Sequence, residues 1–215
     1  MRIATLGAGT MAAALVPHWA AAGHEVVIGG RDEDQARALA EGLGARHAGL
    51  TTAADGADVV LLAVRWEGVD WTLEQAGAPE GRLAGKVLVD CGNPVEVERF
   101  TVTTEGGESL AERVARVSGA RVVKAFNLCH AAVWRDMPRF DGRPLAVPIA
   151  ADDRAAADVV GELVRLVGGE PVDAGVLEQA RNLEAMAAIV IRLLFGGAPE
   201  TTVFNLVRGE MKPTA

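Results

Sequence analysis

A chain of 215 residues, 50% of them hydrophobic, can build one large domain with a small appendage, which excludes a disordered chain or a disulfide-stapled miniprotein. Its formal net charge of −8 argues against sequence-independent nucleic-acid binding and against docking on an anionic membrane. The apolar run 185–191 is too short to span a bilayer, no leader pattern precedes the first apolar residues, and Cys91 and Cys129 lack metal-ligand spacing, so a cytoplasmic protein with no metal, membrane or nucleic-acid partner is expected.

Short β-branched runs alternate with helical patterns, predicting an α/β fold: a Rossmann-type doubly wound, mainly parallel sheet. The runs are apolar nearly throughout, as expected of strands covered on both faces. The first covers residues 3–6, and a helix is expected over 10–22. Between them stands Gly7-Ala8-Gly9-Thr10-Met11-Ala12, a GxGxxA in the strand–turn–helix context that a dinucleotide fingerprint requires. Gly7 permits the tight turn, Gly9 lets backbone approach a pyrophosphate, and Ala12 stands where helix and strand pack closely. The free N–H groups opening that helix would receive the pyrophosphate.

A second strand over 25–28 runs into Gly29, Gly30 and Arg31, ahead of a helix over 33–43. NAD-binding folds usually place a carboxylate there, on the ribose 2′-OH. Here two glycines clear room, and Arg31 offers a planar, two-pronged donor set to a 2′-phosphate. NADP is therefore expected in preference to NAD. The bland alternative makes Arg31 a solvated charge beside Asp32 and Glu33, which would cap the next helix.

Strands predicted at 59–63, 87–90 and 121–125, with helices around 69–76 and 109–117, carry three clusters to one sheet edge. These are Ala63-Val64-Arg65-Trp66, then Asp90-Cys91-Gly92-Asn93-Pro94, then Lys124-Ala125-Phe126-Asn127-Leu128-Cys129-His130. Open α/β sheets bind ligands at that edge. Asn93 and Asn127 suit ribose or amide groups, Trp66 and Phe126 supply flat apolar walls, and His130 could donate a proton. Each has a structural alternative: Asn93-Pro94 as a turn, Phe126 as core, Trp66 covering a helix end, His130 opening a loop or helix, and the cysteines as packing residues. His18, His24 and His47 are expected at the surface or at helix ends. With no nucleophile–base set, carboxylate pair or metal cluster in view, the inventory is one for holding a cofactor and placing something against it.

A sixth strand at 145–149, a helix over 154–167 and a long helix over 176–195 complete the pattern. The alternation stops at 173–175, giving an expected division into a dinucleotide-binding domain (1–174) and a small C-terminal helical extension (175–215). The long helix keeps charges in its first half, at Glu178, Arg181 and Glu184, whereas 185–191 is apolar on every side. Such a segment is buried in the domain or against a second copy, and a homodimer is expected.

The stretches GAGTMAAAL, AAGHEVVIGGRD, LLAVRWEGV, LVDCGNP, RVVKAFNLCH and PVDAGVLEQARNLEAMA occur in the order seen in the NADPH-dependent deazaflavin (coenzyme F-420) oxidoreductases. The chain resembles that family over nearly its whole length, down to 202–207, and is also similar to the N-terminal domain of the STEAP ferrireductases. The resemblance implies hydride transfer between NADP(H) and a deazaflavin coenzyme, in a cleft closed by the C-terminal extension. It implies that Gly7, Gly9, Thr10 and Met11 hold the pyrophosphate and that Gly30 and Arg31 take the 2′-phosphate. Ala63 and Asn93 would lie along the nicotinamide half, and Asn127, with Phe126 and Leu128, would line the hydride-transfer site. Leu194, residues 195–197 and Phe204 would help form the second pocket. Val64, Arg65 and Ala125 complete the expected cofactor wall, and Asn127 and His130 are the expected catalytic residues.

The chain departs from the family at Arg65, where proline is usual, and at Leu128-Cys129, where threonine is frequent. Two other functions therefore stand beside the first. One is an NADPH-dependent reductase of an imine or carbonyl compound, with Arg65, Lys124 or His130 as proton source. Pyrroline-carboxylate and imine reductases open similarly to LGAGTMAAAL, but carry a longer helical dimerisation domain than residues after 175 supply. The other is a non-catalytic NADP-binding redox sensor.

Overall fold

The computed structural model describes residues 1–103, 106–137, 142–204 and 206. Strand β1 (Arg2–Leu6) turns into helix α1 (Thr10–Ala21), and β2 (Glu25–Gly29) leads to α2 (Glu33–Leu43). The short β3 (Arg46–His47) and α3 (Leu50–Asp55) follow, then β4 (Val59–Leu62), a 3-10 turn at Trp66–Gly68, and α4 (Val69–Gln75). Next come β5 (Val87–Asp90), a ribbon of β6 (Val95–Glu96) and β7 (Thr101–Val102), α5 (Leu110–Ser118) and β8 (Arg121–Lys124). The chain continues through α6 (Ala131–Asp136), β9 (Ala146–Ala151), α7 (Arg154–Val167), β10 (Glu170–Gly175) and α8 (Ala180–Phe195).

Eight strands form one sheet in the order β10-β9-β8-β5-β4-β1-β2-β3. All neighbours pair in parallel except β8 and β9, which are antiparallel. This is the expected Rossmann-type doubly wound α/β fold with a C-terminal helix. The order reverses beside β1, whose neighbours are β2 and β4, and a crevice opens outside the carboxyl ends of the strands at such a point.

Alternation along each strand feeds two cores. In β4, Val59 and Leu61 face one side, with α1 residues Leu15 and Trp19, while Val60 and Leu62 face the other, with Leu73 of α4 and Val114 of α5. Trp19 ties α1 to α7: its side chain is fully buried, and its Nε1–H donates to Leu163 O at 3.1 Å. Asp32 caps α2, its Oδ1 accepting from Gln35 N–H at 3.0 Å.

The elements that periodicity does not announce are short or polar. Helices α3 and α6 have 6 residues each, under two turns, and β3, β6 and β7 have 2 residues each. Strand β10 reads Glu-Pro-Val-Asp-Ala-Gly and lies at the sheet edge, where proline is tolerated. Residues 173–175 are therefore strand, and the helical segment begins after them, with a 3-10 turn at Leu177–Gln179 ahead of α8. Helix α8 buries Leu183, Ala187 and Val190 within the domain and leaves Met186, Ile189 and Leu193 exposed. No described helix is long and apolar enough to cross a membrane.

Candidate active site

Two cavities lie along the strand ends, on either side of the glycine turn. The larger, about 540 Å³, is lined by Gly7, Gly9, Gly30, Arg31, Ala63, Val64 and Arg65, together with Glu67 and Trp71. The smaller, about 200 Å³, is lined by Thr10, Met11, Asn93, Phe126, Asn127 and His130, with Ala187, Val190, Ile191 and Leu194 of α8 closing it. The turn from Gly9 to Met11 thus borders both.

The turn is held from beneath by Gly7 N–H donating to Gly29 O at 2.8 Å, which joins the ends of β1 and β2. Helix α1 opens at Gly9 without a side-chain cap and without an acidic residue in its first turn. Its leading amides and positive dipole end are thus left to an outside acceptor, which is what an anionic pyrophosphate requires. At the end of β2, Arg31 is exposed and makes no hydrogen bond or ion pair with any described residue. Arg65 is engaged: its Nη2 and Nε donate to the Glu67 carboxylate at 2.9 and 3.4 Å. That hydrogen-bonded partner holds the Glu67 carboxyl below the usual carboxylate range.

In the smaller cavity the two asparagines grip each other. Asn93 Nδ2 donates to Asn127 O at 2.8 Å, and Asn127 Nδ2 donates to Asn93 Oδ1 at 2.9 Å and to Leu183 O of α8 at 3.1 Å. Phe126 sits at φ 63°, a left-handed conformation uncommon for a bulky residue, with its ring edge-on to Trp134 at 5.3 Å. His130 caps α6, its Nδ1 accepting from Ala132 N–H at 3.3 Å. In the neutral ring the proton then belongs on Nε2.

Beneath this cavity lies a buried ionic cluster. Lys124 Nζ donates to Asp90 Oδ2 and Glu184 Oε1, both at 2.8 Å, and to Gly92 O at 2.6 Å. Burial works against the Lys124 ammonium, but the two carboxylates outweigh it and its pKa is raised. Burial likewise pushes the Glu184 carboxyl up, against the pull of Lys124. Glu184 also accepts from Leu110 N–H and Ala111 N–H at 3.2 and 3.4 Å, at the start of α5. The thiols of Cys91 and Cys129 are pushed up by burial to about 12, so neither is a thiolate nucleophile near neutral pH.

The expected site residues fall into these two groups, with exceptions: Phe195, Gly196 and Gly197 line neither cavity, and Ala63, expected beside Asn93, lies in the larger cavity while Asn93 lies in the smaller. Ala125 is fully buried and lines neither cavity. Trp66 packs against the core, and the aromatic wall of the larger cavity is Trp71, 42% exposed on α4. Lys124 is enclosed by its carboxylates, which removes it as a proton source. Ala187, Val190 and Ile191 also line the smaller cavity, and their only sequence signal is the apolar run 185–191. In the tail, Phe204 is half exposed and borders a small void beside Phe126 and Trp134, while Asn205 and Val207 lie outside the described residues.

A family model described as "NADP oxidoreductase coenzyme F420-dependent" matches residues 2–94. The F420-dependent NADP reductase of Methanothermobacter marburgensis is 33% identical over 215 residues, covering 90% of this chain and 92% of that protein. The metalloreductase STEAP3 of Rattus norvegicus is also 33% identical over 90% of this chain, but the chain spans only 37% of its length. Among solved structures, one from Arthrobacter sp. FB24, assigned to the F420-dependent NADP-reductases, superposes with a TM-score of 0.85 at 29% identity over 96% of this chain and 99% of that one. Two adjoining cavities on a doubly wound sheet, and 33% identity to a reductase over about nine-tenths of both chains, place the protein: it belongs to the F420-dependent NADP oxidoreductase family.

Proposed function

We propose that this chain is an oxidoreductase that moves a hydride between NADP(H) and a deazaflavin coenzyme. The observation that carries the reading is the pair of adjoining cavities bordered by one glycine turn, the larger ending at the unpaired Arg31 and the smaller closed by α8. The residues fit the cofactor. A Cβ built on Gly9 would meet nothing within 4 Å, so the space over the uncapped start of α1 is open to a pyrophosphate.

The bound nicotinamide and deazaflavin rings supply the reactivity, as hydride donor and acceptor. The chain's part is binding, orientation and exclusion of water. The amides of Thr10 and Met11 bind the pyrophosphate, and Arg31 holds the 2′-phosphate. The Asn93–Asn127 pair fixes the wall of the smaller cavity and anchors it to α8 through Leu183 O. Phe126, Val190, Ile191 and Leu194 keep that cavity apolar. His130 offers Nε2–H to the second substrate. In this reading residues 1–174 form the dinucleotide domain, 175–215 form the extension that closes the cleft, and the enzyme works in the cytoplasm.

The test is to supply NADPH with oxidised deazaflavin, and separately with imines and ketones, and follow the loss of NADPH absorbance. Turnover with deazaflavin is expected; turnover only with an imine or ketone would overturn the reading. Arg31→Ala is expected to weaken NADPH binding about tenfold or more, the worth of a charge-assisted contact, while sparing NADH.

The same reading makes the enzyme a homodimer, supported by the exposed stripe of Met186, Ile189 and Leu193 on α8. Light scattering should give twice the 22.4 kDa chain mass, and Ile189→Glu should return it towards the monomer. A monomer mass for the unaltered protein would remove the proposal.

A further inference from the structure

The larger cavity holds a second guanidinium, and its present partner is a poor one. Arg65 lies after β4 and Arg31 after β2, so the two arginines reach the cavity from the strands on either side of β1. The side chain of Arg65 is 86% exposed and that of Glu67 47%. Exposed ion pairs of this kind are weakly held.

We propose that Arg65 is a second recognition residue for the 2′-phosphate of NADP(H), kept on Glu67 in the free enzyme and transferred from carboxylate to phosphate when the cofactor binds. The inference rests on the NADP reading above. Four charged side chains line the cavity: Arg31, Asp32, Arg65 and Glu67. Asp32 is committed to capping α2, where its charge remains beside Arg31. If Arg65 stayed on Glu67, a phosphate near −2 would meet Arg31 alone, with Asp32 opposing it. The phosphate offers three acceptor oxygens and about twice the charge of a carboxylate, so it is the stronger partner for a planar guanidinium. Arg65 already lines the cavity that Arg31 lines, and its exposed side chain is free to rotate away from Glu67 towards a phosphate there. Glu67, half exposed, is left to water.

The probes are 2′,5′-ADP and 5′-AMP, which differ by the phosphate in question, with binding read by calorimetry. Arg65→Ala should weaken 2′,5′-ADP about tenfold or more and leave 5′-AMP unchanged. Glu67→Gln should tighten 2′,5′-ADP severalfold, because Arg65 is released, and the gain should vanish in the Arg65→Ala/Glu67→Gln double variant. Unchanged 2′,5′-ADP binding in Arg65→Ala, or equal losses for both nucleotides, would overturn the proposal. A Glu67→Gln gain that persists in the double variant would overturn the exchange, since Glu67 would then act by plain repulsion. Arg31→Ala separates the two levels of the argument. A wild-type preference for 2′,5′-ADP that Arg31→Ala abolishes and Arg65→Ala does not would sink this inference alone. A wild-type protein that binds both nucleotides alike would sink the NADP reading as well.

Discussion

Replacing Lys124 with methionine is expected to lower stability by about 3–5 kcal/mol at neutral pH, measured by urea unfolding, because it strands two buried carboxylates. The side chains of Lys124, Asp90 and Glu184 are at most 1% exposed, and Lys124 Nζ satisfies both acids and Gly92 O at once. The pH dependence gives the loss a signature. Burial already holds the Glu184 carboxyl above its ordinary 4.5, with Lys124 pulling the other way. Without the ammonium the folded-state value rises further, while the unfolded one stays ordinary. Across the window from the ordinary to the raised value the folded chain binds more protons, so its stability falls as pH climbs. The deficit should therefore be smaller near about pH 5 than near about pH 8, and adding Glu184→Gln should recover part of it. A deficit equal at both pH values would mean that lost packing, not stranded charge, is responsible. The substitution should also reach the smaller cavity, since Gly92 O fixes the turn that carries Asn93.

That cluster also marks where sequence reasoning stops. The GxGxxA turn and the arginine ending β2 are local: strand, turn and helix are contiguous, so spacing alone positions them. The convergence of Asn93, Phe126, Asn127 and His130 was readable too, because apolar runs identify strands and a doubly wound sheet aligns their ends. Glu184 was not. It stands in the charged first half of a helix and reads as solvated, yet it lies 60 residues from Lys124 in sequence and 2.8 Å from it in space. Only tertiary packing can pair such groups, and the one available hint is a lysine that directly follows the apolar Val122 and Val123 of its strand. The wall expected at Trp66 fails in the same way, and Trp71 carries no sequence signal that sets it apart. Both are plausible cofactor walls by type, and the 3-10 turn at Trp66–Gly68 turns the first into the core and leaves the second on the cavity. Helix α8 shows how one apolar run serves two faces, one within the cleft and core and one towards solvent, which composition alone cannot divide.

The two glycines of the fingerprint should fail differently when each is changed to alanine, and the contrast separates fold from function. At Gly7 the backbone has φ 120°, and an added Cβ would lie 2.2 Å from Ala63 O and 2.7 Å from Ala63 C. Those are backbone atoms at the end of β4, so no side chain can swing aside. Gly7→Ala should cost roughly 2–5 kcal/mol from the clash and the left-handed strain together. It should also lower kcat/KM for NADPH roughly a hundredfold by displacing the turn. At Gly9, φ is −80° and ψ −166°, a conformation open to alanine, and the Cβ would meet nothing within 4 Å. Gly9→Ala should therefore fold with a loss of no more than about 1 kcal/mol, the difference between glycine and alanine at a helix N-cap. Its NADPH affinity should nevertheless collapse, because the empty space it fills is where the pyrophosphate approaches the helix. Thermal unfolding with and without NADPH reads both quantities at once: Gly9→Ala should melt near the unliganded wild type and gain almost nothing from the cofactor. If instead it gained the full wild-type shift, the pyrophosphate would have to lie elsewhere, and the start of α1 would be only a turn.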